Sequence, residues 1–198
     1  MSEAPRPALR TPRLGRPARL DPDRIVAAAL TMDLDTLTMQ ALAERLGVAT
    51  SALYRWVDGR EGLLDLVSRR MAERITPAAP PTAETWREWL LDLARSVHRE
   101  FRAIPGFATR MLTGPHRDAG HLPIEEGAVA AFVLGGADRE HAQQYWYVFA
   151  AALLGWTSIE EGGRFPVDPP MDFDVLLDVL MRGYLAEPPE GPHRPPTV

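Results

Sequence analysis

The sequence contains no cysteine, no lysine and no asparagine. Without cysteine, the chain cannot form disulfide bonds, thiolate metal sites or a cysteine nucleophile. It also lacks any run of about 18 consecutive apolar residues, the length that a membrane-spanning helix requires. Residues 1–20 have no apolar core of the kind found in signal peptides. We therefore expect a cytoplasmic protein that makes no membrane contact.

The charges are unevenly distributed along the chain. All 22 basic residues are arginine, a bias that a GC-rich genome explains without selection for guanidinium chemistry. Residues 1–75 contain 12 arginines and 10 acidic residues, whereas residues 76–198 contain 10 arginines and 17 acidic residues. Five arginines fall within residues 1–20. This asymmetry predicts that only the N-terminal end of the protein meets a polyanion.

Proline divides the 198 residues into blocks. Four prolines fall within residues 1–20, none lies between Pro22 and Pro77, and five lie within residues 188–196. Clustered prolines and small residues mark linkers and tails rather than packed elements. We therefore predict a flexible basic arm (1–20), a first domain (21–75), a second domain (76–186) and a disordered tail (187–198).

Apolar residues recur at helical spacing through both domains, and no convincing period-2 strand is present, so we predict an all-α fold. Asp21 and Pro22 mark the start of a first helix, because aspartate caps helices and proline is tolerated in the first turn. A second helix begins near Thr38 and ends at Gly47, a third is short, and a fourth starts near Arg60. Further helices are predicted after Thr82 and over Phe107–Leu112, Ile124–Leu134, Ala142–Ser158 and Phe173–Leu185.

The segment Gly47–Val57, GVATSALYRWV, suits neither a buried helix nor a fully solvated one. A helix, a tight turn with glycine and a short second helix form a helix-turn-helix motif, whose second helix presents its first residues to base edges in the major groove. We therefore expect Thr50 and Ser51 to approach the bases. Tyr54 and Arg55, about one turn further on, can reach phosphates or a guanine edge.

Several neighbouring residues leave alternatives open. Leu53 and Val57 are expected to point inward, and Trp56 is interpreted as structural support for the helix edge, with phosphate contact as the second reading. Gln40 is either a solvated helix residue or a base contact. The arginine-rich arm is either disordered or inserted in the minor groove, as arms ahead of such domains can be.

The run LTMQALAERLGVATSALYRWVDGREGLLD, residues 37–65, resembles the DNA-binding domain of the TetR family. The matching positions are Thr38, Leu42, Ala43, Leu46, Gly47, Val48, Leu53, Tyr54, Val57, Leu63 and Leu64. Arg60 stands where lysine is usual, and Trp56 where histidine is common. With the preceding helix, the resemblance covers about residues 21–75. The DNA-binding set that we predict is Thr38, Gln40, Thr50, Ser51, Tyr54, Arg55 and Arg60.

The second half is similar, more loosely, to the ligand domain of the same family. The resemblance implies an N-terminal three-helix DNA-binding domain joined to a C-terminal helical domain that binds a ligand and forms a homodimer through a four-helix bundle. We expect the last two long helices to build this bundle, with Leu177 and Leu180 at the two-fold axis. The protein would then be a regulator, a repressor that a hydrophobic small molecule releases from a palindromic double-stranded DNA operator.

A pocket for this effector is predicted between the fourth helix and the helices of the second half. Methionine and aromatic side chains there would suit a hydrophobic, partly aromatic molecule with few polar anchors. The predicted ligand-binding residues are Met71, Trp89, Leu93, Val97, Met111, Phe132, Trp146 and Phe149. At helical spacing, many such aromatics are also simple core residues.

Other functions find little support in the sequence. It has no phosphate-binding glycine loop, nucleophile motif or spaced acid–base pair, so we expect no catalytic residues and no enzyme. The histidines lack the i, i+4 pairing of a helical metal site, so we expect no metal or other cofactor and interpret them as surface or capping residues. Glu160 and Glu161 are interpreted as a solvated helix face. The alternative function is a DNA-binding regulator or architectural protein without a small-molecule effector.

Overall fold

The computed structural model describes residues 20–34, 36–104, 106–113, 122–166, 168–169 and 171–185. Every regular element within these ranges is a helix, which confirms the predicted all-α class. The predicted arm and tail lie outside the described residues, apart from Leu20. The helices are α1 (Pro22–Ala29), α2 (Met39–Leu46), α3 (Thr50–Leu53), α4 (Gly59–Ile75), α5 (Trp86–Arg102), α6 (Phe107–Thr113), α7 (Leu122–Leu134), α8 (Arg139–Glu161) and α9 (Phe173–Leu185).

The first helices begin and end at the residues that their capping chemistry predicts. The Asp21 side chain accepts a hydrogen bond from the Arg24 N–H at 2.8 Å, and Pro22 occupies the first turn of α1. The Thr38 hydroxyl oxygen accepts from the Ala41 N–H at 3.1 Å. Gly47 ends α2 with φ +67°, a left-handed conformation that glycine adopts without steric cost. The two side-chain caps fix where α1 and α2 begin, and Gly47 fixes where the chain turns between α2 and α3.

A closely packed aliphatic cluster holds α1–α4 together. Ile25, Leu42, Leu53 and Leu63 come from four different helices, and each is completely buried. α1 packs against α2 and α4, and α2 packs against α3. The short helix α3 is therefore positioned by tertiary packing, because four residues are too few to be stable alone.

In the second half, α8 packs against α5, α6 and α7. The core of this half contains buried aromatic rings among its aliphatic side chains, whereas the core of α1–α4 is aliphatic. The Phe132 ring makes edge contacts with Tyr145, Phe149 and Tyr184, at centroid distances of 5.7, 6.0 and 4.8 Å. The Tyr184 hydroxyl donates to the Tyr145 carbonyl at 3.3 Å, which ties α9 to α8.

The orientation of α9 corrects our expectation for the two-fold axis. Leu177 is 2% exposed and belongs to the core of the single chain, and Leu180 is half-buried against the same core. The apolar side chains that α9 directs outward are Val175 and Val179, which are 57% and 61% exposed. Periodicity identified an apolar helix, but it did not show which side the protein's own core would occupy.

None of the helices within the described residues is long and apolar enough to span a membrane.

Candidate functional site

The start of α3 forms an exposed surface above a buried anchor. Leu53 is fully buried and Val57 is 6% exposed, as predicted. Ser51 and Arg55 are exposed, Thr50 is half-buried, and Tyr54 is 55% exposed. A tyrosine side chain so far out of the core contributes little to packing. The four contacts predicted on α3 and directly after it therefore all reach solvent.

Two further predicted contacts lie at the start of α2. Thr38 is exposed, but its hydroxyl oxygen already serves as the helix cap described above. Gln40 is exposed, and its amide donates to the Glu44 carboxylate at 3.0 Å, one helical turn away. Both side chains face solvent and have local partners, so either can contact DNA only by extending or exchanging these bonds.

Arg60 occupies a different environment from the other predicted DNA contacts. Its Nη2 donates to the Leu34 carbonyl at 2.8 Å, and its Nε donates to the Leu37 carbonyl at 3.1 Å. Its side chain is 35% exposed. The planar guanidinium therefore joins the first turn of α4 to the loop between α1 and α2. This geometry places Arg60 as a tether within the protein rather than as an outward-pointing cation.

Trp56 was interpreted from the sequence as support for the helix edge, and its position corrects that interpretation. The side chain is 45% exposed and lies outside the buried cluster. Tyr54 and Trp56 therefore leave two large aromatic surfaces on the same short segment. An indole N–H is a hydrogen-bond donor that can reach a phosphate oxygen.

A cavity of about 230 Å³ lies between α4 and the helices of the second half, where we expected a pocket. Five of the eight predicted ligand-binding residues line it: Met71, Leu93, Val97, Met111 and Trp146. The other lining residues are Leu34, Leu64, Val67, Ser68, Ala72, Ile75, Phe101, Phe107, Arg110, Ile124, Glu125, Tyr147, Ala150, Leu153 and Leu154. The lining residues on α4 and on α8 recur at helical spacing. They could therefore have been predicted from Met71 on α4 and Trp146 on α8. Leu34 lies in a loop and gave no such signal.

The structure does not bring Trp89, Phe132 and Phe149 to the cavity. Trp89 is 6% exposed, packs against Gly127, and donates its indole N–H to the Ala79 carbonyl at 2.8 Å. Phe132 and Phe149 belong to the aromatic core with Tyr184. The side chains of α5, α7 and α8 divide between two sides of their helices, and a hydrophobicity pattern alone does not separate core from cavity.

The cavity lining is apolar with a few polar groups. Arg110 and Glu125 are its charged side chains, and both are half-buried. The Gln143 amide donates a short hydrogen bond to the Glu125 carboxylate, which fixes that carboxylate in place. Such a lining favours a flat apolar molecule that carries one or two polar groups at an edge.

One histidine and two glutamates are placed differently from our expectation. His98 is not a surface residue: its ring stacks on Phe173 at 3.9 Å, and Nε2 lies 2.7 Å from the Glu160 carboxylate. Glu161 does not belong to a solvated face, because both of its carboxylate oxygens are buried without a hydrogen bond of good geometry. These residues join α5, α8 and α9.

His141 has the capping role predicted for it. The Asp138 carboxylate accepts from the His141 backbone N–H at 2.9 Å and lies 2.7 Å from its ring nitrogen. The backbone N–H of His141 lowers the pKa of Asp138 below its ordinary value. His116 and His121 lie outside the described residues. Within the described ranges, no three His, Asp or Glu side chains converge in a way that could hold a metal ion.

The chain is similar in sequence to known repressors over part of its length. It is 37% identical over 90 residues to the tetracycline repressor protein class A from transposon 1721 of Escherichia coli, a match that covers 43% of this chain and 42% of that repressor. The chain spans about two fifths of the length of this repressor and of two other curated relatives that it matches. No protein-family model matches it.

Solved structures extend the similarity to the second half. The minocycline complex of a TetR variant from Acinetobacter baumannii has a TM-score of 0.62 and 26% identity, over 84% of this chain and 93% of that one. ActR from Streptomyces coelicolor in complex with actinorhodin has a TM-score of 0.65 and 24% identity, over 87% and 99% of the two chains. The chain is therefore similar in fold to solved TetR and ActR structures over most of its length, and similar in part of its sequence to tetracycline repressors.

Proposed function

We propose that this protein is a transcriptional repressor that binds operator DNA through α3 and leaves it when a small apolar molecule occupies the cavity. The observation that carries this proposal is the position of α4. Its first turn is fixed to the helix-turn-helix region through Arg60, while Val67, Met71 and Ile75 line the cavity. One helix therefore belongs to both sites, so a ligand that favours one position of α4 also favours one position of the DNA-binding surface.

The printed names of similar proteins support a ligand of this kind. A tetracycline repressor matches 43% of this chain in sequence, and two similar structures hold minocycline and actinorhodin. Minocycline and actinorhodin are ligands of those two proteins, and the similarity does not make them ligands of this protein. The apolar lining, with Arg110 and Glu125 as its charged groups, supports an effector that is mainly hydrophobic with a few polar substituents.

A homodimer is part of the proposal. The face that α8 turns to solvent carries Val148 and Ile159, which are 55% and 38% exposed, and α9 adds Val175 and Val179. Adjacent apolar faces on two long helices are unusual on a monomer and support burial against a second copy. Two recognition helices related by a two-fold axis would read a pseudo-palindrome in successive major grooves.

The experiment selects duplexes from a random-sequence pool with the purified full-length protein and then measures their affinity with and without candidate compounds. A panel of flat aromatic compounds is first screened by thermal shift, because a ligand that binds the folded state raises its stability. We expect a pseudo-palindromic sequence to emerge, and at least one stabilising compound to weaken binding to it. Sequence-specific binding that no stabilising compound changes would favour a regulator without an effector.

A further inference from the structure

Leu34 lines the cavity and also belongs to the helix-turn-helix region. It therefore links the two sites directly, and not through the length of α4. It lies in the loop between α1 and α2, and its side chain is 6% exposed. All other cavity residues belong to α4–α8, so Leu34 is the contribution of the helix-turn-helix region itself. A molecule that fills the cavity near this residue would press on that loop directly.

The backbone of the same loop is held by Arg60. The guanidinium donates from Nη2 to the Leu34 carbonyl at 2.8 Å and from Nε to the Leu37 carbonyl at 3.1 Å. A rigid guanidinium that binds two acceptors fixes their relative position more closely than a single ammonium could. We call Leu34, Leu37 and Arg60 the loop clasp.

The clasp lies next to the start of α2. Leu37 directly precedes Thr38, which caps α2 through the Ala41 N–H. Leu42 and Leu53 are both completely buried where α2 packs against α3. Close-packed helices move together rather than deform, so a shift of the loop that moves the start of α2 also moves the recognition surface of α3.

We propose that the loop clasp is the switch by which cavity occupancy acts on DNA binding. A bound molecule displaces the Leu34 side chain, the loop backbone moves away from Arg60, and α2 and α3 change their position relative to α4. The inference rests on the proposed function and assigns Arg60 to regulation rather than to phosphate binding. The effect depends on the difference in ligand affinity between the clasped and released arrangements.

The test measures coupling as a ratio: the dissociation constant for the selected duplex with saturating ligand, divided by the constant without it. The probe is 1-anilinonaphthalene-8-sulfonate, a flat apolar anion, together with any compound that stabilises the protein in the aromatic panel. For the wild type we expect a ratio in the range of about 5 to 150, the usual span of allosteric coupling. Leu34→Ala and Arg60→Lys should each bring the ratio close to 1.

Two comparisons make the test specific. Leu177→Ala removes the same atoms from a buried core residue on α9 that does not line the cavity, so it should keep both the probe affinity and the wild-type ratio. Arg60→Lys keeps the positive charge and removes no core volume, which leaves a decisive variant if Leu34→Ala unfolds. Amide hydrogen exchange over residues 36–42 should rise on probe binding in the wild type and stay constant in both clasp variants.

The outcomes separate the clasp from the proposed function. A wild-type ratio that persists in Arg60→Lys or in folded Leu34→Ala would overturn the clasp and leave the ligand-responsive repressor standing. A wild-type ratio of 1 for the probe and for every stabilising compound would overturn the proposed function, and the clasp with it. Loss of coupling in Leu177→Ala as well would show a general effect of core damage and would also overturn the clasp.

Discussion

The two halves of the molecule use apolar residues in different ways. In α1–α4 the buried residues are almost all aliphatic, and the large exposed aromatics, Tyr54 and Trp56, directly follow α3. In α5–α9 aromatic rings join the aliphatic side chains of the core, a cavity remains beside it, and exposed valines lie on α8 and α9. The first half is built as a filled core that presents a fixed surface, and the second half keeps space inside and an apolar face outside.

This difference has a thermodynamic consequence. A filled aliphatic core leaves few alternative arrangements, because interiors pack like crystals and resist small displacements. A cavity wall has missing contacts on one side, so its side chains gain free energy when a molecule of suitable shape supplies them. Ligand response is therefore expected at the boundary of the two halves, where Met71 of α4 and Leu93 of α5 both line the cavity.

The largest expected effect separates the aromatic core from the cavity wall. Phe149→Ala should destabilise the protein by about 3–5 kcal/mol, because Phe149 is completely buried beside Phe132 and Tyr184. Trp146→Ala removes a larger, half-buried side chain from the cavity wall. It should cost less stability but weaken probe binding more. Urea unfolding measures the loss of stability, and fluorescence titration measures the loss of probe affinity. If the same variant lost more of both, the division between core and cavity wall would be contradicted.

The sequence predicted the elements of both halves far better than it predicted orientation in the second. Asp21, Thr38 and Gly47 have local chemistry that specifies a helix boundary, and Phe173–Leu185 is predicted with the observed bounds. Leu177, Phe132 and His98 were misplaced because their surroundings depend on how α9, α7 and α5 are rotated in the assembled core. Leu34 was missed because a loop residue has no periodicity. Tertiary packing, rather than local propensity, decides such positions.

The second expected effect concerns the apolar outer face. Val179→Glu should weaken dimerisation by about 2–4 kcal/mol, since the two-fold axis would bury one glutamate charge from each copy in the interface. The matched control is Val133→Glu on α7, which is 42% exposed in the single chain. Sedimentation equilibrium should show dissociation for the first variant alone. An unchanged dimer in Val179→Glu would move the interface away from α9.

A third expected effect tests whether DNA affinity belongs to the first half alone. Arg55→Ala and Tyr54→Ala should each weaken binding to the selected duplex by about 1–3 kcal/mol. Arg87→Ala removes the same charge from an exposed position at the start of α5. Fluorescence anisotropy at fixed salt should show little change for this control. Equal losses in Arg55→Ala and Arg87→Ala would indicate a response to net charge instead of a contact from α3.

The smallest expected effect comes from a buried charge in the second half. Burial raises the pKa of Glu161 above its ordinary value, while the nearby Gly106 and Ala108 N–H groups lower it in part and Glu160 raises it further. Both Glu161 oxygens lie out of solvent, without a well-formed hydrogen bond. At neutral pH this carboxylate is therefore more costly in the folded chain than in the unfolded one.

The sign of the pH dependence follows from the raised pKa. As the pH falls from about 7 towards 5, the folded state takes up a proton at Glu161 before the unfolded state does, so this group's contribution to the free energy of unfolding rises. Glu161→Gln is neutral throughout, so it should be more stable than the wild type near pH 7, and this advantage should shrink on acidification. The control is Glu126→Gln, at an exposed position on α7, which should follow the wild type at each pH. Urea unfolding at a series of pH values measures the difference between each variant and the wild type, which cancels the contributions of the groups that both share. If Glu161→Gln had no stability advantage at pH 7, or an advantage that grew on acidification, the buried carboxylate would be stabilised by its surroundings. The charge buried in the second half would then carry no free-energy cost, and the two halves would not differ in this respect.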